Sequence, residues 1–498
     1  MADADPSLKG LGKRTSRGLS WNLIGNLGAN GLRIAVIPIL SRLVSPDEFG
    51  IVAAALTVFA VAAFLKDAGV GTALVQRQTL TSGHIETAFS FSVWFGVALA
   101  GLVLLAAPAI ANFYDQPQLV PFVRVLAILI AVRTIGIVSQ ALARRDMQFR
   151  ALAIIDLASY FLGSVTSVLL AWWGYGAWAL VGGYLVETAV GTLAIFLVRP
   201  VRYRLFPERR YLRDLVTYGA GHTVGELASY FAHNGDNIVV GNQLGAAPLG
   251  FYTRAYDLMR YPSVAFSNVA GSVLFSAFSR IQDDPDRLGR VYRRAIFGTS
   301  VFLFPTSIAL LVLAPELVGI ILGGTWAYAV LPFQILAISM LPRTTFKIGA
   351  TIARAAGDVI VVAWVNVLYS VMVIGGAFLV VRRWGIEGVA VSTSIALFVN
   401  FVLLSHLGLR RTSLSWNGFL RAHGGPLFAG ALVLVTVWPT AFVLRHLDVA
   451  PLLVVMVSSA IGLAGASVAM VLGVRRRQED WCWIYEGMTS RLRRKRGT

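Results

Sequence analysis

Apolar runs of about 20 residues recur from one end of this chain to the other, separated by short segments of turn residues, Lys and Arg. A helix of that length crosses the hydrocarbon core of a bilayer, and it satisfies its own backbone groups where no water can. About fourteen such runs are present, so the expected fold class is an all-α polytopic membrane protein. They fall within 20–50 and then at roughly 49–74, 86–110, 119–142, 150–172, 177–198, 213–243, 248–279, 294–322, 326–353, 357–381, 386–408, 424–444 and 449–473. A mean hydropathy of +0.70, with 56% hydrophobic and only 14% charged residues among 498, excludes a soluble protein. The first run carries no signal-peptide cleavage pattern, so nothing is expected to be removed.

A formal charge of +18 would suggest nucleic acid in a soluble chain. Here about 31 of the 43 Lys and Arg fall in loops on the side of the N-terminus and about 4 on the other, with Arg382 and Arg383 the main dissent. The asymmetry is a topology signal: both termini are expected in the cytoplasm, and no nucleic-acid partner is expected. The single Cys482 allows neither a disulfide nor a cysteine metal site within one chain, and six scattered His residues suggest no metal. No cofactor is expected. GYGAWA at Gly174 fits a loose dinucleotide fingerprint but stands between membrane spans with no βαβ context, and HTVGE at His222 is not a zinc-protease motif.

The pattern breaks once. RPVRYRLFPERRYLRD, after Val198, mixes Arg with Tyr, Leu and Phe, as suits a short interfacial helix or linker lying on the membrane surface and dividing two halves. The expected domains are a basic N-terminus at 1–18, an N-lobe at 19–198, the linker at 199–212, a C-lobe at 213–408, two further helices at 409–473 and a basic tail at 474–498. Phe49-Gly50 answers Leu249-Gly250, and Gly71 and Leu74 answer Gly271 and Leu274, a shift of about 200 residues. WGYGAWALV from Trp173 likewise resembles WGIEGVAVS from Trp384. Six spans separate the copies, an even number, so the two six-helix lobes should relate by a pseudo-two-fold axis along the membrane normal, with a ligand site between them. The tail, EDWCWIYEGMTSRLRRKRGT, combines interfacial aromatics with clustered bases and reads as a membrane-surface helix.

Two runs carry polar stripes. Asn22, Asn26, Asn30 and Arg33 fall within roughly 80° of one another on a helix. An Arg about 13 residues into a membrane helix lies some 20 Å deep, too far for easy snorkelling, and so faces other helices or an aqueous cavity. On the seventh run His222, Glu226, Ser229, His233, Asp236 and Asn237 share a face of roughly 100°. The two stripes are expected to form opposite walls of one polar cleft.

Several phrases resemble the polysaccharide transporter branch of the multidrug/oligosaccharidyl-lipid/polysaccharide (MOP) flippase superfamily. They are RLVSPDEFG from Arg42, DAGVGTALVQRQTLT from Asp67, RRDMQF from Arg144, LGAAPLGFYTRAYDLM from Leu244, FSRIQDDPDRLGRVY from Phe278, and LGGTW followed by LPFQILA from Leu322. Their order and spacing carry the resemblance over roughly 19–410; the last two helices match no such phrase. The resemblance implies export of lipid-linked oligosaccharide, of the undecaprenyl-diphosphate kind, from the cytoplasmic to the periplasmic leaflet of the bacterial inner membrane. A polysaccharide polymerase and a chain-length regulator become candidate partners beside the substrate and the bilayer. The competing readings are a membrane polymerase or ligase, which would use a large outer loop absent here, and a small-drug exporter, which predicts a smaller, more acidic cleft.

The resemblance supplies no set of binding residues, so these come from chemistry. A lipid diphosphate sugar brings hydroxyls and about two negative charges, and a wet path must offer donors and cations. The candidate substrate-binding residues are Asn22, Asn26, Asn30, Arg33, Arg133, Arg254, Arg260, Arg343 and Lys347; Arg suits phosphate because its planar donors grip two oxygens. His222, Glu226 and Asp236 are candidates for ion coupling. About eight embedded bases, including Lys66 and Arg124, face about six embedded acids, Asp67, Asp156, Glu187, Glu226, Asp236 and Asp257, so totals alone promise no strongly positive lumen. Lys66 with Asp67 reads as a structural pair, and Arg254 could serve an ion pair with Asp257 or Asp236 as well as a substrate.

Overall fold

The fold is given by a computed structural model that describes residues 21, 25, 28–67, 69–77, 79–202, 204–281, 283–476 and 478–486, without the side chains of 66, 67, 214–226, 228, 264–277 and 279. Among the described residues it is all helical, as the periodicity predicts, and ten helices are long and apolar enough to cross a membrane. The chain divides into two compact units, Met1–Gly250 and Phe251–Thr498.

The first unit holds α1 (28–43), α2 (Pro46–Asp67), α3 (Val70–Gln76), α4 (Ser82–Phe113), α5 (Leu119–Arg145), α6 (Phe149–Trp172), α7 (Ala177–Val198) and α8 (Arg209–Leu244). Helix α5, the most buried of the ten candidate spans among the described residues, packs against α2, α3, α4 and α7. The α1–α2 junction is built by SPDEFG: the Glu48 carboxylate accepts from the Ser45 backbone N–H at 2.8 Å and its hydroxyl at 2.9 Å, with Pro46 opening the helix. Gly50 follows, where a Cβ would overlap the Ala246 carbonyl oxygen; Gly250 reciprocates, where a Cβ would overlap the Pro46 carbonyl oxygen. Between α7 and α8 the linker is docked chain rather than a surface helix. Trp94 of α4 donates to the Leu205 carbonyl at 2.7 Å and stacks on Phe206, and Val201 is buried beside Val138 and Leu142.

The second unit holds most of α9 (Ala246–Arg280), then α10 (Pro285–Val312), α11 (Ala314–Ile321), α12 (Val330–Ile338), α13 (Met340–Ala355), α14 (Val359–Arg410), α15 (Trp416–His446), α16 (Pro451–Arg475) and α17 (479–486). Asp284 caps α10, accepting from the Arg287 backbone at 2.9 Å ahead of Pro285. A straight 52-residue α14 would be about 78 Å long. Instead Arg411, past its end, donates to Asp358, before its start, at 2.7 Å. The chain reverses at Gly385, whose φ of 56° and ψ of −150° suit only glycine, giving two antiparallel helices at the boundary the sequence predicts. The matching WG turn at Trp173 also uses left-handed glycines, Gly174 and Gly176.

One aromatic of the tail departs from expectation, while the closing bases at 491–496 lie outside the described residues. Trp481 is 2% exposed and meets Phe297 edge-on at 5.2 Å, in a niche left by Gly425 and Gly473, so it is a core residue of this unit and not an interfacial anchor. Arg293 of α10 bonds Asp480 and Glu479, each at 3.1 Å, and pins α17 in place.

Candidate functional site

In the first unit a cavity of about 450 Å³ lies among α1, α5, α6 and α7. Close approach of α6 and α7 shapes one wall: a Cβ on Gly163 would lie 2.7 Å from the Gly183 carbonyl oxygen, so only small residues allow these backbones to meet. Asn30 and Arg33 enter from α1, Arg133 from near the middle of α5, Asp156 and Tyr160 from α6, and Tyr184 and Glu187 from α7. The Arg33 guanidinium stands 5.0 Å from the Tyr160 ring centre. Arg133 donates to the Tyr184 hydroxyl at 3.2 Å, and Tyr184 is braced edge-on by Phe59 at 5.4 Å. Asp156 and Glu187 lie within electrostatic range of both arginines. Yet no approach within 4.0 Å, among the described residues, joins either acid to either arginine. Four formal charges thus line one cavity inside an apolar bundle, each turned to its space.

The second unit gathers the remaining candidate bases. Asp257 on α9 bonds Arg254 at 3.3 Å and Arg260 at 3.2 Å. From α13, Arg343 is 5% exposed; its guanidinium lies 4.6 Å over the Tyr256 ring and donates to the hydroxyl of that residue. Lys347, one turn on, is within electrostatic range of Arg343 and Arg260. Two of the four bases therefore share one acid, and the other two follow one another on α13.

Asn22 and Asn26 lie outside the described residues, as do the side chains of His222 and Glu226. Asp236 on α8 is 1% exposed and accepts from the Asn237 backbone at 2.9 Å, and His233 bonds the Ser229 carbonyl at 2.8 Å. The described lining of the Arg33 cavity comes from α1, α5, α6 and α7. Residue reading did not assign Asp156, Tyr160, Tyr184 or Glu187 to a site. The two acids carried a signal, since an ionisable group inside a membrane run is functional by default; the tyrosines carried none.

A family model described as polysaccharide biosynthesis protein matches residues 39–331, more than half of the chain. The chain belongs to that family. Relatives include the succinoglycan biosynthesis transport protein ExoT of Rhizobium meliloti, 28% identical over 430 residues and covering 84% of this chain and 83% of that one. The lipopolysaccharide biosynthesis protein WzxC of Escherichia coli is 24% identical over 395 residues, covering 79% and 80%. Among solved structures, the lipid II flippase MurJ in an inward closed conformation superposes with a TM-score of 0.75 at 13% identity, over 91% of this chain and 98% of that one. An inward-facing MATE multidrug transporter of the MOP superfamily gives 0.59 at 18% identity, over 79% and 94%. This polysaccharide biosynthesis protein thus has a MurJ- and MATE-like fold, in agreement with the sequence resemblance.

Proposed function

We propose that this family member is a flippase, carrying undecaprenyl-diphosphate-linked oligosaccharide repeat units of an exopolysaccharide or O-antigen from the cytoplasmic to the periplasmic leaflet by alternating access. The observation that carries the reading is the charged, hydroxyl-rich cavity around Arg33 and Arg133, enclosed by helices that otherwise meet lipid. Each unsatisfied polar group costs several kcal/mol in hydrocarbon and each charge at least about 2.5 more, so unaided crossing is negligible. Translocation requires no covalent step, only a wet path with donors and cations. In this reading Asn22, Asn26, Asn30, Arg33 and Arg133, with Arg254, Arg260, Arg343 and Lys347, contact the substrate, and His222, Glu226 and Asp236 are the places an exchanged ion would use.

The relatives named for succinoglycan transport and lipopolysaccharide biosynthesis support this choice of cargo. The proposed setting is the bacterial inner membrane with both termini cytoplasmic. Counting the two helices of α14 separately and adding α1, α8 and α9, the chain makes fourteen crossings, arranged as two six-helix repeats and two C-terminal helices. A strain deleted for the gene tests the function. It should accumulate lipid-linked repeat units on the inner leaflet; wild-type export, or absence of the units altogether, refutes the assignment.

A further inference from the structure

The cavity of the first unit is balanced in charge, with Arg33 and Arg133 against Asp156 and Glu187. A diphosphate entering it would meet two carboxylates as well as two guanidiniums, and like charge brought close in a low dielectric is costly. The fit is better for a neutral group that donates and accepts at many fixed angles. We infer that this cavity is a saccharide subsite, in which Asp156 and Glu187 accept sugar hydroxyls while Arg33 and Arg133 donate to ring and hydroxyl oxygens.

Four features support it. The acids and bases are not spent on one another: no ion pair within 4.0 Å joins them among the described residues, so each keeps donor or acceptor capacity toward the cavity. Planar carboxylate and guanidinium groups can each engage two neighbouring oxygens, the arrangement that vicinal hydroxyls present. Tyr160 and Tyr184 add aromatic faces with polar tips, suited to the mixed apolar and hydroxylated surface of a sugar ring. A volume of about 450 Å³ lies within the range of small-ligand pockets. Asp156 and Glu187 thereby become determinants of which sugars are carried.

The inference rests on the flippase reading for the source of the saccharide, and the two can fail separately. The deletion strain decides the flippase reading by whether lipid-linked units accumulate. Oligosaccharide released from those units by mild acid is then the probe for the purified full-length protein in nanodiscs, with inorganic pyrophosphate as the comparison. Binding to wild type is expected, with Asp156→Asn and Glu187→Gln each weakening oligosaccharide binding by about tenfold or more, the scale of a lost charged hydrogen bond, while pyrophosphate binding moves by less than about threefold. Tyr160→Leu, which keeps apolar bulk, should weaken the oligosaccharide in the same way and serves if an acid variant is not monodisperse. The inference is overturned if wild type does not bind the released oligosaccharide. It is equally overturned if the acid variants leave that binding unchanged and tighten pyrophosphate instead, for then the carboxylates only neutralise the arginines.

Discussion

Arg33 illustrates how a single side chain is committed by its surroundings. Its charge has no salt-bridge partner among the described residues and rests over the Tyr160 ring, so its donors remain turned to the cavity. Arg33→Ala should abolish export without lowering membrane abundance, whereas Arg33→Lys, which keeps the charge and loses the planar fork, should retain part of it; polysaccharide secretion and immunoblotting read both. Gly50 is committed by space. A Cβ there would overlap a backbone carbonyl that cannot rotate away, so Gly50→Ala should lower stability by about 1–3 kcal/mol or more and Gly250→Ala should do the same. Gly101→Ala in α4, where nothing lies within 4 Å, is the control and should be neutral or slightly stabilising in the same melting experiment.

Elements are joined by contacts that their own sequences only half announce. Across the two ends of α14 the Arg411 guanidinium beside Asp358 holds its carboxyl below the usual carboxylate range, chiefly by hydrogen bonding. The folded-state value lies under the unfolded one, so the stabilisation is complete above the ordinary Asp range and is lost as pH falls through the lowered value. Melting of wild type and Asp358→Asn should therefore differ most at neutral pH and converge well below about pH 4. In the tail, α17 is held by Trp481 more than by charge, because the Arg293 pairs are partly solvated whereas the indole is sealed. Trp481→Ala should cost about 3–5 kcal/mol and expose residues 478–486 to protease, while Glu479→Gln should do neither.

For the whole molecule, the energetics of export follow from the proposed cargo. A lipid diphosphate moving outward across an inside-negative membrane gains about 2.3 kcal/mol per charge per 100 mV, enough to drive transport without an exchanged ion. Glu226→Gln and Asp236→Asn should accordingly retain export while the potential is maintained, and collapsing the potential with valinomycin and potassium should slow wild type and variants alike. Loss of export in either well-folded variant at full potential would show instead that an ion must bind there.

Hydropathy alone determined that this chain crosses a membrane many times as helices, because each apolar run must satisfy its backbone internally wherever it lies in lipid. Local chemistry determined more: Ser45 with Glu48, Asp284 before Pro285, and the WG turns at Gly174 and Gly385 are decided by residues a few positions apart. The polar face of Arg33 was legible for the same reason, being a matter of helical period. What stands opposite it was not, since Asp156, Tyr160, Tyr184 and Glu187 reach one cavity only through the packing of α5, α6 and α7, which periodicity does not encode. Trp481 makes the same point from the other direction: beside a basic tail it reads as an interfacial aromatic, and only the niche between Gly425 and Gly473, on two other helices, decides that it is buried.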